Sequence, residues 1–246
     1  MTAEIDGDTR VVALLGHPVS HSLSPRMQNA AFAARGLNWA YVALDVAPER
    51  VEQAVTGLEA LGFAGANVTI PHKRAVALLC DELDEAADRA GSVNTLVFRD
   101  GRLHGSSTDG LAVTEAIRPA NRAVLIGAGG AASAVVSALE HEGIEVRVHT
   151  RKGDWPPRGD DADLVVNATP VKDELLLEPR PDQQIVDLAY NTDGTPTALV
   201  ATARAAGCPV VVDGLEVLVR QGAASFERWT GVPAPVDVMR AAVQVR

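Results

Sequence analysis

The sequence predicts an α/β protein of two lobes, an N-terminal lobe on a mostly parallel sheet followed by a second α/β unit with a sheet of its own. Three observations predict it. Up to residue 97, short β-rich apolar runs alternate with amphipathic stretches, the pattern of a mostly parallel sheet covered by helices. After Arg122 the pattern restarts with "AVLIGAGGAASAVVSALEHEG". The closing stretches "GLEVLVRQGAASFERWTG" and "DVMRAAVQVR" are helical without a strand of their own.

The first lobe holds strand candidates at Val11–Leu15, Trp39–Leu44, Gly65–Val68 and Val93–Val97. Helices are expected at Ser24–Arg35, Pro48–Leu61 and His72–Cys80, the last with Pro71 near its first turn, where a missing N–H costs nothing. The loop "GHPVSHSLSP" joins the first strand to the first helix and gathers Ser20, Ser22 and Ser24. Ser24, before Pro25, can cap that helix, and Ser22 with Ser24 can offer hydroxyls to a carboxylate at its N-terminus. In the second unit "EVRVHTR", "DLVVNATP", "QIVDLAY" and "PVVV" read as strands, with a helix from "TPTALVATARAAG". "RKGDWPPRGDDAD" takes the place of the helix expected between two strands. The last helices should cross back, so that one lobe comprises residues 1–109 completed by 214–246 and the other residues 110–213.

A chain of 246 residues can bury two modest cores, and 47% hydrophobic with 22% charged residues excludes a disordered or fibrous class. The formal charge of -10 argues against a broad nucleic-acid surface. No apolar run approaches the roughly 18 to 20 residues of a membrane helix, and the acidic start is unlike a signal peptide, so a cytoplasmic location is expected. Cys80 and Cys208 read as isolated thiols, and the 6 histidines fall in no metal-binding spacing.

"VLIGAGGAASAV" places Gly127, Gly129 and Ala132 in a GxGxxA pattern between an apolar strand and a helix. Small residues let the backbone of Gly127, Ala128, Gly129, Gly130 and Ala131 approach a pyrophosphate, which sits on the free N–H groups and positive dipole end of the helix. The pattern predicts a Rossmann dinucleotide-binding unit. At the end of the next strand an acidic residue would bind the ribose hydroxyls of NAD; Thr150, Arg151 and Lys152 stand there instead, and a guanidinium suits the extra phosphate of NADP.

"NVTIPHK" puts Lys73 in the first turn of a helix, while "GSVNTLV" and "SSTDG" add Asn94, Thr108 and Asp109. Singly these read as an exposed cation, a turn residue and an N-cap for a helix beginning at Gly110. Lysine with aspartate is also a pair suited to passing a proton to an alcohol oxygen while hydride moves at the adjacent carbon.

With "GHPVSHSLSP", "NVTIPHK", "GSVNTLV", "STDG", "GAGGA", "DLAYN" and "DGLEVLVRQGAASFERWTG" in order, the sequence resembles the shikimate dehydrogenase family along nearly its full length. The resemblance implies reversible reduction of 3-dehydroshikimate to shikimate by NADPH, in the route to aromatic amino acids. It implies Lys73 and Asp109 as the catalytic pair, Ser22 and Ser24 at the substrate carboxylate with Tyr190 nearby, and Thr69, Asn94, Asp109 and Gln221 at the ring hydroxyls. It places Thr169 and Gly214 on the cofactor side, Gly214 by the nicotinamide, and allows a monomer or a homodimer. The chain departs from the family at Ser107, usually Asn; at Val217, usually Met; at "NATPVKDE"; and at "TRK", usually "NRT". Quinate or an aminated shikimate analogue as substrate, and a non-catalytic metabolite sensor, are the competing readings.

Overall fold

The computed structural model describes residues 5–244. The first sheet carries β1 (Arg10–Gly16), β2 (Trp39–Asp45), β3 (Gly65–Val68), β4 (Glu82–Leu83), β5 (Thr95–Arg99) and β6 (Arg102–Ser106), in the order β2-β1-β3-β5-β6-β4. Around it lie α1 (Ser24–Ala34), α2 (Val51–Ala60), α3 (Lys73–Ala77), α4 (Glu85–Ala90) and, leading out of it, α5 (Asp109–Thr114). The second sheet, β7 (Arg122–Ile126), β8 (Glu145–His149), β9 (Leu164–Asn167), β10 (Gln184–Asp187) and β11 (Val210–Val212), is parallel throughout, in the order β11-β10-β9-β7-β8. It is served by α6 (Gly130–His141) and α7 (Ala198–Ala205), after which α8 (Gly214–Thr230) and α9 (Val236–Gln244) close the chain.

β1 shows why the first sheet is two-faced. From Val12 to Gly16 its residues are buried without alternation in polarity, but Val12 and Leu14 join one core and Ala13 and Leu15 the other, the period of two that a strand imposes. On the first face α1 brings Met27 and Phe32, while α8 and α9 bring Val219, Phe226, Trp229 and Met239. The second face is covered by α2, α3 and α4. The helices at the end of the chain therefore finish a core that its beginning starts.

The first sheet is mixed, since β3–β5 and β5–β6 run antiparallel. Asp100 and Gly101 adopt positive φ of 54° and 68°, the backbone a two-residue hairpin requires, and this tight turn produces β6, which the sequence reading passed over. α3 ends at Ala77 rather than at the expected Cys80 because Asp81 is drawn to β6: its N–H donates to the Leu103 carbonyl at 2.9 Å, and its carboxylate accepts the Leu103 N–H at 2.7 Å. Residues 48–50 form a 3-10 turn ahead of α2.

In the second sheet neither β8–β9 nor β9–β10 is joined by a helix. The core on that side is closed by α7 with Ala162 and Leu177 from the irregular segments. The carbonyls of Gly159 and Ala162 would be orphaned there; the buried Gln183 amide donates to both, at 2.8 and 3.0 Å, and Arg180 Nη1 donates to Gly159 at 2.8 Å. Among the described residues no helix is long and apolar enough to cross a membrane.

Candidate active site

α3 begins at Lys73 because the segment before it is pinned on both sides. The Thr69 N–H donates to the Leu15 carbonyl at 2.8 Å, the His72 N–H to the Thr69 carbonyl at 2.9 Å, and buried His72 Nε2 meets the Val46 carbonyl at 2.8 Å. Lys73 is 9% exposed, and its Nζ donates to Asp109 Oδ2 at 2.5 Å. The other carboxylate oxygen of Asp109 accepts from Asn94 Nδ2 at 2.9 Å. Asn94 Oδ1 in turn accepts the Thr108 N–H at 3.0 Å, so the Asn94 amide is fixed in orientation. An opposite-charge pair this far out of water is held by Coulomb attraction that solvent screens weakly. Gln221, one face of α8, comes within 3.4 Å of Asn94 Nδ2 through its Oε1, while its Nε2 donates to the Leu218 carbonyl.

A buried polar net supports these side chains from below. Asn67 Nδ2 donates to Ser225 Oγ at 2.9 Å and to the Asn94 carbonyl at 2.9 Å, and its Oδ1 accepts from Tyr41 Oη at 2.9 Å. Ser225 Oγ and Thr95 Oγ1 lie 2.7 Å apart. The Tyr41 hydroxyl also lies near the Ser24 side chain, which brings the net up to the serine loop. Ser24 does not cap α1: Leu23 occupies the cap position, and Ser22 Oγ accepts the Ser24 N–H at 3.2 Å. The helix starts one residue earlier than a Ser24 cap requires, which leaves Ser24 inside its first turn. Asp109 is likewise the first residue of α5, not its cap; Thr108 precedes it, and the carboxylate is committed to Lys73 and Asn94.

Tyr190, just past β10, lies near Ser22 and the Leu23 backbone. Burial pushes its phenol above the usual range, and the nearness of Leu23 and Ser22 only partly offsets the push. Tyr190 and Ser22 lie close together, and Lys73, Asp109, Asn94 and Gln221 form a second group, resting on the Tyr41–Asn67–Asn94 hydrogen bonds. Thr69 stands beside Gly16: its methyl would lie 2.3 Å from a side chain there, so only glycine fits where β1 enters the loop. His21 is exposed.

The glycine loop closes the other side. Gly127 holds φ of 135°, and a Cβ there would meet the Ala168 carbonyl at 2.9 Å. Nothing lies within 4 Å of where a Cβ on Gly129 would be, which leaves the start of the 12-residue α6 open to an anion. A Cβ on Gly130 would press on Lys73 Cβ at 2.8 Å and Ser92 Oγ at 2.7 Å, so the loop rests on the stem of the lysine. The loop stands where strand order reverses, β8 on one side of β7 and β9 on the other, the usual place for a nucleotide in an open α/β sheet. These features fit a dinucleotide pyrophosphate.

Beyond β8, Thr150, Arg151 and Lys152 form a turn closed by the Gly153 N–H on the Thr150 carbonyl at 3.0 Å. Arg151 is exposed, 5.9 Å from the Trp155 ring centre and 4.0 Å from Glu174. Buried His149 anchors the turn through Nδ1, 3.1 Å from the Asp154 carbonyl. Thr169 turns its hydroxyl to Asn167 Oδ1 at 2.7 Å. Gly214 opens α8 so close to Ala189 that a Cβ would lie 2.3 Å from its carbonyl oxygen. Ala128 and Ala131 flank the open start of α6. Sequence reasoning missed Tyr41, Asn67, Thr95, Ser225 and Arg74. A signal existed for two of them: Asn67 interrupts an apolar strand run, and Ser225 lies one helical turn from Gln221.

A nucleotide loop on a parallel sheet, facing a buried lysine–aspartate pair at the starts of α3 and α5, defines a two-lobed dinucleotide-dependent oxidoreductase of the α/β class. Residues 14–96 match the shikimate dehydrogenase substrate binding domain, and residues 214–244 the shikimate 5'-dehydrogenase C-terminal domain. A shikimate dehydrogenase (NADP(+)) of Methanopyrus kandleri is 43% identical over 99% of this chain and 98% of its own. The crystal structure of shikimate dehydrogenase from Aquifex aeolicus superposes with a TM-score of 0.90 at 31% identity, covering 98% of this chain and 100% of that one. The Thermus thermophilus shikimate 5-dehydrogenase, in complex with NADP(H) and shikimate, gives 0.84 at 34% identity over 96% and 98% of the two chains. The chain belongs to the shikimate dehydrogenase family.

Proposed function

We propose that this protein is an NADP-dependent shikimate dehydrogenase, interconverting 3-dehydroshikimate and shikimate. The observation that carries the reading is the buried Lys73–Asp109 contact of 2.5 Å on the flank of the glycine loop. Residues 1–109 with 214–246 form the substrate lobe and residues 110–213 the nucleotide lobe. Gly127 to Ala131 hold the pyrophosphate, Arg151 with Thr150 and Lys152 the 2′-phosphate, and Thr169 and Gly214 border the nicotinamide. Bound there, the nicotinamide supplies or accepts the hydride at the ring carbon.

Lys73 gives its Nζ proton to the oxygen that becomes an alkoxide as the ketone is reduced, and its positive charge stabilises that oxygen in a site with little water. Asp109 aims the ammonium and accepts from the substrate hydroxyl. Asn94, Thr69 and Gln221 hold the remaining ring hydroxyls, and Ser22, Ser24 and Tyr190 the carboxylate. Following NADP+ reduction by shikimate, and by quinate, each also with NAD+, tests the reading. The expected order places shikimate with NADP+ first in kcat/KM; no turnover with shikimate overturns the proposal, and preference for quinate reassigns the substrate within it.

A further inference from the structure

Arg74 follows Lys73 in the same turn of α3 and points the other way, out of the first lobe. Its Nη2 donates to the Ala128 carbonyl at 3.0 Å and to Ser133 Oγ at 2.7 Å, and Ser133 Oγ itself donates to the Gly129 carbonyl at 3.3 Å. Two carbonyls of the glycine loop are thereby held from outside; the Gly127 N–H donates to the His149 carbonyl at 3.0 Å, while the first N–H groups of α6 have no partner within the helix and can meet an anion. Immediately beside this tie Gly130 rests on Lys73 Cβ, and the buried hydroxyl of Ser92 at the same spot has no partner. One helical turn thus grips the nucleotide loop with one residue and the Asp109 carboxylate with the one before it.

We infer that Arg74 is a positioning residue that couples nucleotide binding to the placement of Lys73. This rests on the reading above, in which the glycine loop takes NADP and Lys73 meets the substrate. An order imposed on residues 128–133 by the dinucleotide is carried through the guanidinium to α3, and so to the ammonium on its inner side. Binding free energies are reciprocal, so the coupling must also appear as shikimate tightening NADP+. A guanidinium reaches the carbonyl and the hydroxyl together; its remaining N–H groups stay in solvent, since Arg74 is exposed.

Calorimetric titration of the full chain with NADP+, with and without saturating shikimate, tests the inference without relying on turnover. In the wild type the Kd for NADP+ falls several-fold when shikimate is present. Arg74→Ala should shrink that ratio by roughly fivefold or more, leave the Kd for shikimate alone unchanged, and leave Tm within a few degrees of wild type. Arg74→Lys should recover part of the ratio. Ser133→Ala should lower it too, and add little in the double variant, because the two residues share one contact. A wild-type ratio of one, an Arg74→Ala ratio equal to wild type, or an equal loss of NADP+ affinity with and without shikimate each overturns the inference. Failure of the wild type to bind either ligand overturns the functional reading instead.

Discussion

Both oxygens of Asp109 already have donors, Lys73 on one and Asn94 on the other, so neither charge can be removed without leaving its partner bare in a dry place. Lys73→Ala should lower kcat by roughly 100-fold or more while shifting the KM for shikimate little. The bare Asp109 carboxylate should also destabilise the fold by about 3–5 kcal/mol, so Tm is to be measured on the same sample. Arg151→Ala should raise the KM for NADP+ by roughly tenfold, consistent with loss of a charge-assisted contact, and leave that for NAD+ nearly unchanged; an equal rise for both places the 2′-phosphate elsewhere. At this scale the sequence was most informative where chemistry is written in residue type, as in Lys73, Asp109 and Gly127. It carried only faint signals at Asn67 and Ser225, whose pairing spans two distant segments and whose polarity is diluted by the apolar residues around them.

The two connections flanking β9 show how an element can be omitted from a sheet. Paired prolines in "RKGDWPPRGDDAD" rule out a helix, and that much is legible. What replaces the helix is not, because the carbonyls of Gly159 and Ala162 are satisfied by Gln183 from the far side of β9. Gln183→Leu, of similar size, should leave the Gly159 carbonyl to Arg180 Nη1 and the Ala162 carbonyl with only Arg180 Nη2 at 3.5 Å, and cost about 1–3 kcal/mol, seen as a fall in the denaturant midpoint at unchanged m-value. The hairpin at Asp100–Gly101 was written in plain turn chemistry, yet β6 contains Gly105 and little β-branching, so its propensity was too weak to stand out. A side chain on Gly105 would meet Cys80 Sγ at 2.6 Å, which is why the strand keeps that residue. Burial pushes the Cys80 thiol up to about 12, so thiol reagents should modify it in the folded protein far more slowly than a free cysteine at neutral pH.

On the scale of the whole molecule, the chain's 2 tyrosines, Tyr41 and Tyr190, both lie by the serine loop, and burial raises both phenols above the usual value near 10. A group whose value is raised by folding stabilises the fold fully below its unfolded value and loses that contribution as pH climbs through the folded one. Phenol absorbance should therefore show no tyrosinate between pH 10 and alkaline unfolding, at which point both ionise together; a separate early step would show that the serine loop opens first. The two-sheet plan was legible from the restart after Arg122, whereas the seating of one sheet against the other was not, since it depends on contacts such as Gly130 on Lys73 that no local pattern encodes. The helix α8 runs about 22 Å from Gly214, against the second sheet's loop, to Trp229, whose indole N–H donates to the Leu96 carbonyl under the first. Met27, Phe32 and Trp39, made early in synthesis, lie bare until Phe226, Trp229 and Met239 arrive. On the ribosome, the half of the protein that emerges first is consequently the half that finishes last, and it needs shelter from aggregation for as long as the nucleotide half is being made.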